Sequence, residues 1–466
     1  MMKRTVTLLL ALVTALTAAS CGNIGSSTAG GSSSAADTPE SRAAETPAPE
    51  SSAPEISAPQ ISAPQSTADA PAPAEPVSGC VTFEKNSGTL SEGFKTAAAD
   101  FSLELLKKAC AEQIAAGENA LVSPESVMLA LGLAANGAGG QTLQEFETLL
   151  GGDMESLNSD LSALMTAAAE DEDIDFGIAN SIWVRDDAER ISIKRSYAEV
   201  CKRRLDAESF LEPFDSSSVD RLNGWVSEKT RGMINSIKDS FEPDEVAVLL
   251  NCIAFEAKWE TEYQPEQITE DSCFFISDDE YERCTMLSSV EKLYLSDDRA
   301  QGFIKPYKGG RYAFAAMLPD ADISLSDYIS SMTGEKFTKL IRSATDKYTV
   351  NAGIPEFKFD WGESIADSIR SMGLSTAFTD GADFSNMTDA QISISDIIHK
   401  THIEVDSNGT KAAAVTAVTM RDNCVAMPDE NEKTVILSRP FMFAIVDLET
   451  ELPVFIGAVN TVSDKN

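Results

Sequence analysis

Near residue 85 the composition of this 466-residue chain changes abruptly, and everything able to fold lies on one side of the change. From 22 to about 85 the sequence is rich in Ser, Ala, Pro and Thr, with a tandem "ISAPQ" at 56–60 and 61–65. It has no apolar periodicity and almost no aromatic residue. Such a segment cannot bury enough apolar surface to offset its chain entropy, so it stays extended. The remainder, 86–466, is long enough for a full core and has no second linker, which predicts one large domain.

The start of the chain, "MMKRTVTLLLALVTALTAASC", has basic Lys3 and Arg4, an apolar run, then small residues up to Cys21. This pattern reads as a secretory signal over 1–20. The run is short for a membrane span, which needs roughly 20 residues. The residues before Cys21 resemble the lipobox of bacterial lipoproteins, although Ala18 departs from the usual Leu. That resemblance implies a diacylated Cys21 at the mature N-terminus. Residues 21–85 then read as a tether holding domain 86–466 off the extracellular face of a bacterial cell membrane, unless the chain is secreted free.

A net charge of −37 argues against nucleic-acid binding, which needs a basic face. Of eight cysteines, seven remain if Cys21 is lipidated, an odd number whose spacings fit no zinc pattern. Cys273 and Cys284 are a candidate pair, and Cys424, in a polar stretch, is a candidate reactive thiol. Most of the others are expected as buried thiols.

Within the domain, Phe94, Ala98, Phe101 and Leu105 recur at helical spacing. Ser123 before Pro124 predicts a helix start, and Gly137, Gly139 and Gly140 its end. Thr142 and Glu145 form a T-x-x-E pattern, read as a capping box for the next helix. "FGIANSIWVRDD" reads as a strand and turn, and "VDRLNGWVSEKTRGMINSI" as a helix stopped by Gly232. "EVAVLLNCIAFEAKWE", apolar except for Asn251 near its middle, reads as a central strand. "TVILSRPFMFAIVDLETELPVFIGAV" reads as strand, turn, strand, with Phe441, Phe443 and Ile445 alternating. Helices come first and strands later, which argues for the α+β class.

Six segments then stand in order across the domain: "SPESVMLALGLAANGAGGQTLQE", "LLNCIAFEAKWETEY", "IPEFKFD", "HKTHIEVDSNGTKAAAVTA", "RPFMFAI" and "PVFIGAV". Together they resemble the serpins, the serine-protease-inhibitor family. The resemblance implies a fold of three β-sheets with eight or nine helices and an exposed reactive-centre loop near the C-terminus. It also implies a suicide mechanism. A serine (or cysteine) endopeptidase cuts the loop, the loop inserts as a strand into the main sheet, and the acyl-enzyme is trapped. Such a protein is not an enzyme, is expected as a monomer, and needs no cofactor or metal.

The candidate loop can be tested against that demand. A strand entering a sheet needs one face that suits the core. Alternate residues Thr410, Ala412, Ala414, Thr416, Val418 and Met420 are small or apolar. The other face carries Lys411, Ala413, Val415, Ala417, Thr419 and Arg421, whose charges can stay in water. No Pro occurs in 405–427, so no ladder donor is missing until Pro428. Gly409 gives the hinge its backbone freedom. By composition alone the segment would serve equally as a permanent strand; the resemblance favours a mobile loop.

There are departures from the family pattern. Ser407 replaces the usual Glu two residues before the hinge Gly, Lys411 stands where an acidic residue is common, and the loop through "PDENEK" is longer. Family spacing puts the bait bond at Asn423–Cys424, with Val425 or Ala426 as alternatives suited to elastase-like or subtilisin-like proteases.

The resemblance also implies a hydrogen-bond cluster of Ser123, Ser126, Asn251 and His399 where the sheet parts, and places Trp259 near the point of loop entry. A hydrolase reading of the two histidines, His399 and His402, lacks a G-x-S-x-G nucleophile turn. A metal site at His399, His402 and Glu404 fails because their spacing on a strand sends the imidazoles to opposite faces. The remaining rival is a noninhibitory serpin acting as a cell-surface binding protein.

Overall fold

The computed structural model describes residues 6–16, 81–170, 174–410 and 430–463. In chain order, the first elements are β1 (Val6–Leu16), α1 (Glu92–Ala115), β2 (Ala120–Val122), α2 (Pro124–Gly137), α3 (Gly140–Leu150) and α4 (Met154–Glu170). Then come β3 (Asp175–Arg185), α5 (Arg195–Leu205), β4 (Glu208–Glu212), α6 (Ser216–Lys229), β5 (Glu245–Lys258), β6 (Ile268–Phe275) and β7 (Tyr281–Glu291). They are followed by β8 (Leu293–Ser296), β9 (Ala300–Pro306), β10 (Tyr312–Pro319), α7 (Leu325–Ser331), α8 (Gly334–Arg342), β11 (Thr349–Pro355) and β12 (Phe357–Ser364). The last are α9 (Ala366–Ser371), β13 (Ile392–Val405), β14 (Gly409–Thr410), β15 (Glu432–Ile436), β16 (Phe441–Asp447) and β17 (Leu452–Val459). Among the described residues this makes nine α-helices and three sheets, the architecture expected from the sequence.

The main sheet runs β12-β13-β1-β5-β3-β4, with β14 joined to β5. A second sheet runs β2-β17-β16-β10-β9-β8 and a third β15-β11-β7-β6. β5 explains its own composition. One parity, including Ala247, Leu249, Ile253, Phe255 and Ala257, packs into the large core. The other, Val248, Leu250 and Cys252, packs against Leu222, Trp225 and Val226 of α6. A strand covered on both faces needs an apolar run rather than alternation. Phe255 meets Tyr312 of the second sheet edge-to-face at 5.7 Å, tying the two sheets together.

α2 begins as its sequence predicts: Ser123 is the N-cap and its hydroxyl accepts from the Ser126 amide. α6 ends at Lys229, and Gly232, at φ +79°, closes the turn by donating to the Ser227 carbonyl. The capping box at Thr142 and Glu145 does not form. Gly139 caps α3 without a side chain, while Thr142 accepts from the Asp383 amide and Glu145 from the Ser375 and Thr376 amides. Both side chains instead serve the distant 375–383 segment.

Cys273 stands opposite Arg283, and Cys284 opposite Ser272, so the two thiols fall on opposite faces of the β6–β7 ribbon. Both are free, as are buried Cys110, Cys201 and Cys252. Cys21 and Cys424 lie outside the described residues.

Residues 6–16, read from the sequence as part of a signal, form β1, which runs parallel to both β13 and β5 between them. An apolar run of this length suits a buried strand as well as a leader.

Candidate functional site

β13 delivers the chain to the hinge. After Val405 the backbone turns: the Asp406 amide donates to the Gly409 carbonyl, and the Asp406 carboxylate accepts from the Asn408 and Gly409 amides. Such a tight reversal can only produce an antiparallel strand. Gly409 and Thr410 accordingly pair antiparallel with Lys258 and Ala257 of β5. Gly409 has φ +157°, a conformation L side chains rarely adopt, and it packs directly on the β5 backbone. Thr410 is fully buried, and its hydroxyl lies 2.7 Å from that of Tyr307. Thr410 therefore faces the core.

β14 thus sits at the head of a position, one strand wide, between β5 and β13. Below it, from Phe255 to Glu245, β1 fills the position, with Leu16 opposite Phe255. The hinge and β1 run in opposite directions along the same groove in the sheet.

The hinge is held from the segment that follows β5. The Trp259 indole donates to the Asp406 carbonyl at 3.0 Å, its amide donates to the Asn408 carbonyl at 3.0 Å, and the Tyr263 amide donates to the Ser407 carbonyl at 3.2 Å. Behind these rings lies Lys305, only 2% exposed. Its ammonium is 2.9 Å from the Glu291 carboxylate, 4.5 Å from the Tyr263 ring centre and 5.2 Å from that of Trp259. A buried cation between aromatic faces and a carboxylate fixes both rings. Lys305, Glu291, Tyr263 and Tyr307 were not singled out from sequence. The signal available was a lone Lys inside "GFIKPY", which reads equally as a surface position.

Midway down the sheet, Ser123, Ser126, Asn251 and His399 share one hydrogen-bond network. The Ser123 amide donates to His399 Nε2 at 3.0 Å, and the Ser123 hydroxyl to the Val454 carbonyl at 2.8 Å. The Ser126 hydroxyl donates to the Asn251 carbonyl oxygen. Asn251 Nδ2 donates to Asn180 Oδ1 at 2.9 Å, and Asn180 donates to the Leu205 carbonyl at 2.7 Å. The network joins α2, β13, β5, β3, β17 and the end of α5. Because Nε2 accepts, the proton of the neutral imidazole is on Nδ1. Burial holds the His399 pKa down at about 3, so the ring is neutral. Among the described residues, its Nδ1 has no hydrogen-bond partner.

Trp259 stands apart from this network, at the hinge. His402 turns elsewhere, its Nδ1 meeting the Asp360 carboxylate on β12. Neither imidazole approaches the other's partners, as their strand parity requires. Ala412, Ala413, Ala414, Thr416, Asn423, Val425 and Ala426 lie outside the described residues.

Comparison with known proteins matches this architecture. The family model described as Serpin (serine protease inhibitor) matches residues 96–462. An uncharacterized serpin-like protein of Methanosarcina mazei is 27% identical, over 84% of this chain and 96% of its own. Intracellular coagulation inhibitor 2 of Tachypleus tridentatus is 27% identical, over 81% and 93%. Among solved structures, the native state of tengpin, a thermophilic serpin, superposes with a TM-score of 0.74 at 37% identity, covering 82% of this chain and 97% of that one. A hinge seated at the head of a strand-wide position in the main sheet, within three sheets and nine helices, accompanies these matches: the chain belongs to the serpin family.

Proposed function

We propose that this serpin is a suicide-type inhibitor of serine (or cysteine) endopeptidases. The observation that carries the reading is the hinge. Gly409 and Thr410 already lie antiparallel on β5, at the mouth of a position that holds a whole strand between β5 and β13. Continuing that pairing residue by residue would place 422 opposite Glu245, the first residue of β5. Asn423 is then the first residue past a full-length strand, which supports Asn423–Cys424 as the bait bond over Val425 or Ala426. Thr410 faces the core, so Ala412, Ala414, Thr416, Val418 and Met420 would follow it inward, and Lys411 and Arg421 outward.

In this reading the protease nucleophile attacks the carbonyl of Asn423. The C–N bond breaks, and the amine of Cys424 leaves with a proton. The loop still bonded to the protease enters the sheet and carries the acyl-enzyme away before water can hydrolyse it. Maturation at Cys21 removes residues 1–20, and β1 with them, leaving the position for the loop. The lipid on Cys21 and tether 21–85 hold the inhibitor at the extracellular face of a bacterial membrane. Target proteases are elastase-like or subtilisin-like.

The test is incubation with a panel of such proteases, followed by denaturing gels and mass spectrometry of the released peptide. The expected result is an SDS-stable adduct and a peptide beginning at Cys424. Loop digestion by every protease, without an adduct, would instead support a noninhibitory surface-binding serpin.

A further inference from the structure

The main sheet ends, among the described residues, at β12, which lies beyond β13 from the position the loop would take. The Ile365 amide donates to the Ile397 carbonyl, and this bond fixes the phase of the β12–β13 ladder. Counting back two residues at a time, Glu363, Trp361 and Phe359 turn their backbone groups toward β13. Lys358, Asp360 and Gly362 turn theirs outward, and no hydrogen bond among the described residues engages those outward groups. The same segment, 358–363, forms one wall of a cleft of about 500 Å3. The facing wall includes 117–119, after α1, and Thr461 and Ser463, after β17. That wall is pinned. The Asn119 side chain donates to the Thr461 carbonyl at 2.8 Å and accepts from the Asn460 and Thr461 amides at 2.7 and 3.0 Å. Glu282 on β7 accepts from the Val462 and Ser463 amides at 2.8 and 3.1 Å. A ligand entering the cleft therefore need not order its walls.

We propose that this edge is a docking groove for an extended, lysine- or arginine-rich segment of a partner protein, which adds to the main sheet as a strand beside β12. Strand addition is a general mode of peptide recognition, in which main-chain bonds give affinity and side chains give specificity. The proposal does not rest on the inhibitory reading, because β13 stands between the groove and the loop's position.

The three outward residues offer an amide and a carbonyl each, spread over about 14 Å, the length of a five-residue extended segment. Charge selects the segment. Among the residues lining the cleft the one cation is Lys358, whose ammonium is committed to Glu404 at 2.9 Å. Against it stand the carboxylates of Glu118, Asp360 and Glu363. Asp360 and Glu363 differ in strand parity, so a strand laid on this edge meets a carboxylate on either face. An acidic segment would be repelled there, and by the chain's net charge of −37. The cleft also holds an unmet donor. Trp361 lines it and is 6% exposed, and its indole N–H has no acceptor among the described residues. A peptide brings carbonyl oxygens as well as positive charge, whereas a simple cation brings no acceptor.

The probe is the capped peptide Lys-Val-Lys-Val-Lys, acetylated and amidated. Its controls are the Glu-Val-Glu-Val-Glu counterpart and a fully N-methylated Lys-Val-Lys-Val-Lys, which keeps the charge but lacks the backbone donors. Backbone amide exchange in the full chain is followed by NMR, and affinity by titration. The lysine peptide should slow exchange at Lys358, Asp360 and Gly362 and leave Phe359 and Trp361, already in the ladder, unchanged. Both control peptides should bind at least about tenfold more weakly, since each loses either the charge match or several backbone bonds. Asp360→Asn and Glu363→Gln should each weaken the lysine peptide by up to about fivefold. Gly362→Pro, which removes one outward donor, should weaken it about fivefold. No slowed exchange at the three outward residues under millimolar lysine peptide would overturn the proposal. Equal binding of the N-methylated peptide would reduce the groove to a charged patch and overturn it as well.

Discussion

Gly409→Ala concentrates the argument about the hinge into one methyl group. A Cβ at this position would overlap the carbonyl oxygen of Ala257 and lie 2.7 Å from Lys258 Cα. Both obstacles are backbone of β5, so neither can swing aside, and φ +157° is itself unfavourable for Ala. The hinge must lift off β5. It then forfeits the Trp259 bonds to Asp406 and Asn408, the Tyr263 bond to Ser407 and the Thr410–Tyr307 contact. At about 1 kcal/mol net for each, the loss is roughly 4 kcal/mol if all four go. The protein should still fold, since β5 keeps its pairing with β3. Loop entry, however, should fail at its first step. The assay is the partition between adduct and cleaved product on a denaturing gel, with Trp fluorescence reporting the release of Trp259. The expected outcome is a shift from inhibitor to substrate, with the loop cut and the protease set free. A Gly409→Ala protein forming adduct as efficiently as wild type, with unchanged fluorescence, would refute the seating of the hinge on β5.

Lys305→Met tests the clamp behind the hinge. At 2.9 Å the Lys305–Glu291 attraction is about 6 kcal/mol at an effective dielectric near 20, and Met leaves Glu291 buried and unpaired. The expected loss is about 3–5 kcal/mol, largely restored in a Lys305→Met/Glu291→Leu double variant, as read by denaturant unfolding of the uncut protein. The pH dependence of stability should be flat-topped. His399 is held neutral down to about pH 3, so below pH 6.5 the unfolded chain gains a proton the folded one refuses, and stability falls with acid at up to about 1.4 kcal/mol per pH unit. Burial, reinforced by the charge of Asp447 and partly offset by Arg311, pushes the Glu125 carboxyl up to about 8. From about pH 4.5 to 8 the unfolded chain gives up a proton that the folded one keeps, so stability falls as pH rises. The two slopes oppose each other between about pH 4.5 and 6.5. Above that range, of these two groups, only Glu125 acts, and Glu125→Gln should flatten the profile between pH 6.5 and 8 in thermal melts.

Much of the fold was legible because local and tertiary demands agree. Ser123 before Pro124 caps α2, and the apolar run of β5 becomes a strand covered on both faces. The cluster residues were legible only through resemblance, since nothing in the sequence near Asn251 says that Ser126 or Asn180 will meet it. Where one pattern serves two ends, sequence reading misassigned it. Thr142 and Glu145 have capping-box spacing, but a distant segment offers their oxygens other amides. Cys273 and Cys284 are near in sequence yet differ in strand parity. The Lys305–Glu291 pair was invisible because a single charge in a strand ordinarily marks the solvent face, and only the packing of Trp259 and Tyr263 over the ammonium makes it interior.

The most direct test of the account is the melting temperature of the protein before and after its loop is cut. A strand entering between β5 and β13 would gain hydrogen bonds along both neighbours. Some ten net bonds at about 1 kcal/mol each imply a rise on the order of 20 °C. Such a rise, with the two fragments still associated, is the predicted result. An unchanged melting curve after complete cleavage at 423–426 would contradict it.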